Sequence, residues 1–279
     1  MRKFIFIFIV IIIPLILSAN FIGMNHGARA MAMGNAYTAL ADEPSAIFFN
    51  PAGLTKVDQF YLKASHQNLY GISGLYNEML AFSAPLPYSR VGFATTHITL
   101  WDEYSEQVFH LSGASLIRPF GIPIRFGVTF KYEKVFVLNY ESADNPSNYD
   151  LNAGIMIDAG KNLSLAFVAD NVLRPKFKIL SESDKLLTEY KTGACYNWRK
   201  SVNFTADYVW NDEDSYWNLG GEMWFYNVFA ARIGMNEDKL TTGFGIKHKY
   251  FTIDGALLSH TSLGSTYRIS FGVKWGGKE

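Results

Sequence analysis

The feature that most constrains this chain is a train of fourteen alternating apolar and polar segments that follows Val57. Each segment is about ten to thirteen residues long and is separated from the next by a short polar or Gly/Pro/Asn/Asp-containing turn. Residues 266–275 show the alternation best, because every second side chain there is apolar. The segments begin near Gln59, Leu75, Arg90, Gln107, Ile124, Tyr149, Leu163, Glu189, Val202, Tyr216, Val228, Leu240, Phe251 and Ser265.

Segment length distinguishes a membrane barrel from a soluble sandwich, which uses the same period of two. Ten residues at about 3.4 Å each, tilted by about 40°, span about 26 Å, close to the apolar band of an outer-membrane barrel. Soluble strands usually end after about five or six residues. We therefore predict an all-β fold, a transmembrane antiparallel barrel of about 14 strands over residues 58–279, whose even strand number returns both chain ends to the same side.

Composition agrees with a lipid-facing protein. Charged residues make up 18% of the chain, below the usual quarter, and aromatic residues make up 16%. All six tryptophans fall near predicted strand ends, where an indole ring would lie at the lipid headgroup level. The formal net charge is zero, so no basic excess predicts a nucleic-acid partner. The single cysteine, Cys195, excludes an internal disulfide and is expected to be a small strand residue.

The N-terminus is typical of a secretory signal peptide. Arg2 and Lys3 precede an apolar run that ends at Leu17, and two small residues follow it. We expect cleavage after Ala19, which assigns residues 1–19 to the signal. An uncleaved N-terminal anchor is the alternative, but the run is short and Pro14 interrupts it.

Residues 20–57 are expected to form a partly helical plug inside the barrel, since fourteen strands leave a lumen that must be filled or used. Asp42 and Pro44 predict the first turn of a short helix that continues from Ala46 to Phe49. Pro51 restricts the residue before it and should end that helix.

The stretch GARAMAMGNAYTALADEPSAIFFNPAGL, residues 27–54, resembles the mature N-terminus of FadL-type outer-membrane channels and of their shorter PorV/PorQ relatives. Residues 162–175 and the closing LGSTYRISFGVKW are similar to strands of the PorV/PorQ type. The resemblance implies that this stretch forms a hatch within the barrel. It assigns the hatch motif to Asn50, Pro51, Ala52 and Gly53, of which the first three match the family's Asn-Pro-Ala. The chain is shorter than typical FadL channels and lacks room for their long extracellular loops.

The polar face of the strands predicts a lumen with charges of both signs. Mixed signs favour a salt-bridged wall that holds the plug, rather than a pore that is selective for ions of one sign. The two longer connections, 141–148 and 174–186, are candidates for extracellular loops. The predicted lumen charges are Arg125, Lys131, Glu133, Asp207, Glu222, Arg232 and Arg268.

Enzymatic chemistry has little support in the sequence. His66, His97 and His110 lie on three early strands, and His110 shares a face with Ser112, but no nucleophile-elbow motif surrounds these serines. The histidines lack metal-binding spacing, so we predict no catalytic residue, no metal and no cofactor.

Two functions remain open. Resemblance to FadL implies passive transport of hydrophobic small molecules across the bacterial outer membrane. Resemblance to PorV implies a barrel that docks secreted or surface proteins in an export assembly. The partners expected are therefore outer-membrane lipid together with either hydrophobic small molecules or secreted proteins.

Overall fold

The computed structural model describes residues 26–101, 103–137, 145–179, 182–260 and 263–277. The predicted signal peptide and the start of the predicted plug lie outside these residues. Within the described ranges, sixteen strands occur, of which fourteen close into one antiparallel barrel in chain order, with β1 paired to β16. The barrel strands are β1 (Phe60–Asn68), β2 (Leu75–Pro85), β3 (Ser89–Leu100), β4 (Tyr104–Ile117), β5 (Ile124–Val137), β6 (Ser147–Asp158), β7 (Leu163–Asp170), β10 (Glu189–Trp198), β11 (Val202–Trp210), β12 (Ser215–Phe225), β13 (Phe229–Asn236), β14 (Lys239–Lys247), β15 (Phe251–His260) and β16 (Gly264–Trp275).

The prediction of an all-β barrel is confirmed. The first residue of every predicted segment lies within three residues of the first residue of an observed strand. The alternation has the predicted orientation. On β16, Tyr267 and Ile269 are 58% and 56% exposed, whereas Thr266 and Arg268 are each 2% exposed. Apolar side chains therefore face outward and polar side chains face the lumen, the reverse of a soluble sandwich.

The two ends of the barrel differ in their connections. One end carries the links 138–146 and 171–188, and we call it the long-loop end. The other end carries the first residue of β1, the last residue of β16 and only short links between strands. We call it the short-turn end. The predicted loop 174–186 lies within the second of the two longer links. Of the predicted loop 141–148, residues 141–144 lie outside the described residues, and Ser147 and Asn148 belong to β6.

The link 171–188 contains a hairpin that the sequence did not predict, formed by β8 (Lys176–Ile179) and β9 (Glu182–Lys185). Phe177 of this hairpin is fully buried and packs with Tyr104 and Val135 of the barrel wall. Arg174, just before the hairpin, pairs with Asp212 of the β11–β12 turn at 2.9 Å. The link therefore folds back onto the long-loop mouth of the barrel.

One tryptophan departs from the prediction of headgroup placement. Trp224 is followed on β12 by an outward Phe225 and lies on the lumen face, where its ring is 5.5 Å from the Arg232 guanidinium and 5.6 Å from the Lys247 ammonium. The period of two decides this, because Glu222 of the same strand is 1% exposed and shares its face. Proximity to a strand end does not determine which face a residue occupies.

Residues 26–57, which we call the N-terminal segment, lie inside the barrel. They contain α1 (Ala28–Ala32), α2 (Ala46–Phe49) and a 3-10 helix (Pro51–Lys56). Helix α1 contacts β13 to β16, and the 3-10 helix contacts β3 to β6, so the segment crosses from one arc of the wall to the other. Among the described residues, no helix has both the length and the apolar character needed to cross a membrane.

The helix predicted after Asp42 and Pro44 is present, but it begins later than the sequence suggests. Helix α2 starts at Ala46, so Asp42 and Pro44 precede it and do not form its first turn. Asp42 instead pairs with Arg29 of α1. The chain becomes extended at Asn50, as expected for a residue before proline.

Candidate functional site: the N-terminal segment and the cavities beside it

A ring of six alternating charges joins the N-terminal segment to the barrel wall. The segment contributes Arg29 and Glu43, and strands β1, β12, β13 and β15 contribute one side chain each. We call this set the charge ring. Its members, in order, are Arg29, Glu222, Arg232, Asp254, Lys63 and Glu43.

Glu222 is the centre of one half of the charge ring. Arg29 donates to it twice, from Nε to Oε2 at 2.7 Å and from Nη2 to Oε1 at 2.8 Å. Arg232 Nε donates to the same Oε2 at 2.7 Å, and Asn203 Nδ2 donates to Oε1 at 2.9 Å. A bidentate arginine fixes the geometry as well as the charge, so Glu222 orients the α1 side chain against the wall.

Asp254 and Lys63 form the other half. Arg232 Nη1 donates to Asp254 Oδ1 at 2.9 Å, and Lys63 Nζ donates to Asp254 Oδ2 at 3.0 Å. Lys63 also donates to Glu43 Oε2 at 2.7 Å. The side chain of Lys63 is completely buried. A buried charge is tolerated only when it is paired, so these contacts specify one position of the segment.

Asp42 extends the ring within the segment. Arg29 Nη1 donates to its Oδ1 at 2.5 Å, and the Tyr37 hydroxyl donates to the same oxygen at 3.0 Å. Burial raises the pKa of the Asp42 carboxyl, but the charges of Arg29 and Lys56 lower it by more, so the pKa lies below its ordinary value. Asp42 therefore favours its charged form at neutral pH.

Wall side chains also bind the backbone of the segment. Asp207 Oδ2 accepts hydrogen bonds from the backbone N–H groups of Tyr37 and Thr38, both at 2.9 Å. The Ser270 hydroxyl accepts one from the Ala28 N–H at 2.9 Å. The wall therefore supplies side-chain acceptors to buried backbone N–H groups of the segment.

The Asn50-Pro51-Ala52-Gly53 motif lies against β5 and β6. Asn50 Nδ2 donates to the Thr38 carbonyl at 2.9 Å, and its Oδ1 accepts from the Ala52 N–H at 3.0 Å. A Cβ atom at Gly154 of β6 would overlap the Asn50 side-chain oxygen. The wall thus has a gap shaped for this asparagine, which itself links two turns of the segment.

The remaining predicted lumen charges also lie on the inner face. Arg125 pairs with Asp158 at 2.6 Å near the short-turn end. Lys131 pairs with Glu133 at 2.9 Å near the long-loop end. Arg268 hydrogen-bonds to Gln67 and Ser65, and it has no carboxylate within salt-bridge distance among the described residues. The seven predicted charges therefore belong to several separate clusters.

A cavity of about 350 Å³ lies at the long-loop end, beside Phe48 and Phe49 of the segment. Asp214 and Glu237, from turns at that end, are part of its wall. Carboxylates outnumber lysines in the wall. Its charged residues are Glu133, Asp170, Glu189, Asp207, Asp214, Glu237, Lys131, Lys191 and Lys239.

A second cavity, of about 520 Å³, lies at the short-turn end. It has no lining residue in common with the first cavity, because the N-terminal segment lies between them. Here cations outnumber carboxylates. Its charged residues are Arg29, Lys56, Arg125, Lys161, Lys200, Arg232, Lys247, Lys274, Asp42, Glu43, Asp158 and Asp254.

The three histidines considered for catalysis do not converge. His110 is buried on the lumen face, but His66 is half-exposed on the outer face and bonds to Glu78 at 2.6 Å. The Ser112 hydroxyl is bonded to Thr129 at 2.7 Å, not to a histidine. Within the described part of the chain, no group of three His, Cys, Asp or Glu side chains could hold a metal ion.

Solved structures of outer-membrane barrels share this architecture. No family model and no curated protein matches the chain. A Pseudomonas aeruginosa FadL homologue matches with a TM-score of 0.63 over 91% of this chain and 99% of its own, at 10% sequence identity. The Pseudomonas putida toluene transporter TodX matches with a TM-score of 0.59 over 92% of this chain and 99% of its own, also at 10% identity.

A third match is more distant. The outer-membrane protein Omp33 of Acinetobacter baumannii has a TM-score of 0.53 over 78% of this chain and 98% of its own, at 8% identity. At these identities the similarity concerns the fold. The chain has the fold of FadL- and TodX-like outer-membrane barrels, a closed antiparallel barrel of fourteen strands with short N-terminal helical pieces.

Sequence reasoning did not identify four of the six members of the charge ring as site residues. These four are Arg29, Glu43, Lys63 and Asp254. Lys63 sits at an inward position of a regular strand, so the period of two marks it as a lumen residue. Its partner Asp254 is 191 residues away, and no local pattern connects them.

Proposed function

We propose that this chain is a bacterial outer-membrane barrel for passive transport, in which the N-terminal segment is the plug and hydrophobic small molecules are the substrate class. The observation that carries the proposal is the position of the segment between two cavities that share no lining residue. A molecule that passes from one cavity to the other requires the segment to move.

The substrate class is supported by similarity alone. One matching structure is a toluene transporter, and a related one is a monoaromatic hydrocarbon channel. The cavities themselves carry charged walls. In this proposal the long-loop end faces the exterior and the short-turn end, which holds the two ends of the barrel sequence, faces the periplasm.

A reversible tether of the segment tests the proposal. The Ala28 N–H and the Ser270 hydroxyl are 2.9 Å apart, so an Ala28→Cys/Ser270→Cys pair, in a Cys195→Ser background, offers a disulfide between segment and wall. Toluene entry into proteoliposomes should be blocked after oxidation and restored after reduction. Cys195→Ser alone is the matched control, and reductant should not change its rate.

Two results would oppose the proposal. Equal toluene entry in the oxidised and reduced forms would show that passage does not require the segment to move. No entry above that of empty liposomes in any form would remove the transport function itself. An uncharged sugar of similar size, measured in parallel, reports whether the path prefers hydrophobic solutes.

A PorV-like docking role is the second candidate, and one feature of the outer wall favours it. His66 and Glu78 pair at 2.6 Å on the outer face, where they are half-exposed, and His97 is the cross-strand neighbour of Glu78. Charged groups on a lipid-facing wall are costly unless something polar covers them. A photo-crosslinking residue at position 66 should give a protein adduct in native membranes, and one at Phe271 should not. Equal yields at both positions would reject a docking surface here.

A further inference from the structure

The mouth at the short-turn end has an excess of positive charge that the protein does not neutralise. Five lysines of this cavity have no carboxylate within 4.0 Å among the described residues. One of them, Lys56, donates to the backbone carbonyls of Ala39 and Leu40. The other four come from two separate arcs of the wall. Lys161 and Lys200 lie in the β6–β7 and β10–β11 turns, whereas Lys247 and Lys274 lie at the ends of β14 and β16.

Each carboxylate of the same cavity is already engaged by another cation at 3.0 Å or less, and the cavity has twice as many cationic side chains as carboxylates. The engaged pairs are Asp42 with Arg29, Glu43 with Lys63, Asp158 with Arg125, and Asp254 with both Lys63 and Arg232. The excess charge is therefore a property of the folded cavity and does not result from side chains that could re-pair locally.

Two of the lysines are held against aromatic rings of the cavity. The Lys247 ammonium lies 5.6 Å from the Trp224 ring centre, and the Lys274 ammonium lies 4.6 Å from that of Tyr61. The Tyr61 hydroxyl is fixed by a 2.7 Å hydrogen bond with Thr252. Cation–π contacts hold an ammonium without neutralising its charge, so both groups remain available to an anion.

We infer that the short-turn cavity binds a small anion with at least two negative charges, of the organic phosphate or polycarboxylate class. The volume of about 520 Å³ suits a small organic molecule. Several ammonium groups around one space favour multivalent anions, because each charge-assisted hydrogen bond adds to the others. The inference concerns a binding site and does not depend on whether the barrel transports hydrophobic solutes.

Isothermal titration calorimetry on the full chain in an uncharged detergent tests this, with inorganic pyrophosphate and citrate as the two probes. Both should bind saturably at low salt and more weakly as sodium chloride increases. Binding of pyrophosphate alone would narrow the ligand to phosphates. The double variant Lys247→Gln/Lys274→Gln should weaken binding by about tenfold or more, since it removes two charged donors.

The matched control is Lys176→Gln/Lys185→Gln, which removes the same charge from exposed positions at the opposite end. This control should bind as the wild type does. If the first double variant does not refold, as judged by heat-modifiable gel mobility, Lys161→Gln/Lys200→Gln changes only turn residues and should also weaken binding.

No saturable binding of either probe, or equal binding by the short-turn variants and the control, would overturn the inference. These outcomes are independent of the tether experiment, because calorimetry measures occupancy with the N-terminal segment in place. A protein that passes toluene but binds neither anion, or the reverse, would separate the two proposals.

Discussion

Glu222→Gln should loosen the N-terminal segment without unfolding the barrel. The substitution keeps the shape of the side chain and removes the charge that Arg29 and Arg232 share. Both arginines are buried, at 9% and 4% exposure. Removing one partner of a buried ion pair typically costs about 3 to 5 kcal/mol.

The lower end of that range applies here, because each arginine keeps at least one other carboxylate. Arg29 retains Asp42 at 2.5 Å, and Arg232 retains Asp254 at 2.9 Å. A loss of about 3 kcal/mol corresponds to a rise of about a hundredfold in the population whose segment has left its position. The wall contacts made by Asp207 and Ser270 are unchanged, so the released state should remain a minority.

Limited trypsin digestion in detergent measures this population. Arg29 is buried and the Lys56 ammonium donates to two backbone carbonyls, so trypsin should cut at these residues only after the segment is released. When opening and closing are fast, the cleavage rate follows the open population. Cleavage at Arg29 and Lys56 should therefore be about a hundredfold faster in Glu222→Gln than in the wild type.

The matched control is Glu237→Gln, which breaks the exposed pair with Lys239 at 2.6 Å. An exposed pair contributes at most about 1 kcal/mol, so this variant should change the rate by less than about fivefold. Mass spectrometry of the fragments separates segment release from global unfolding, which would also expose Lys131 of β5. Wild-type cleavage rates in Glu222→Gln would refute the idea that the charge ring holds the segment.

Three further outcomes are expected. Gly154→Val should displace the Asn50 side chain and increase trypsin sensitivity of the segment, whereas Gly113→Val, at a wall position with open space, should not. Phe271→Arg should destabilise the barrel by about 2 to 4 kcal/mol, because it places a charge in lipid. Urea unfolding from vesicles measures this, and an unchanged urea midpoint would contradict the outward orientation of the Phe271 side chain. Asp42→Asn should speed trypsin cleavage at pH 7. The difference from wild type should shrink as the pH falls from the ordinary aspartate pKa of about 3.9 through the lowered pKa of Asp42, since the stability that a lowered pKa contributes is complete only above the ordinary value. The acid-stable protease pepsin replaces trypsin at low pH, and a difference as large at pH 2 as at pH 7 would refute the assignment.

Much of the barrel follows from the sequence, because strand periodicity is local. The alternation of β16 determines which side chains share a face, and barrel strands of eight to fourteen residues are long enough to cross the apolar band. For the same reason Glu222 and Arg232 could be placed in the lumen before their partners were known. The end of the helix Ala46–Phe49 was also predictable, because Pro51 restricts Asn50, the residue before it, to an extended conformation.

Tertiary structure decided which lumen charges meet. Arg29 and Glu222 are 193 residues apart in the chain, and they become neighbours only when the segment lies inside a closed barrel of fixed register. The packing of the β8–β9 hairpin against Tyr104 and Val135 of the wall likewise arises only in the folded chain. The opposite charge excess of the two cavities has the same origin. Alternation specifies only that a side chain faces inward, whereas the stagger of all the strands sets its height and hence its partners.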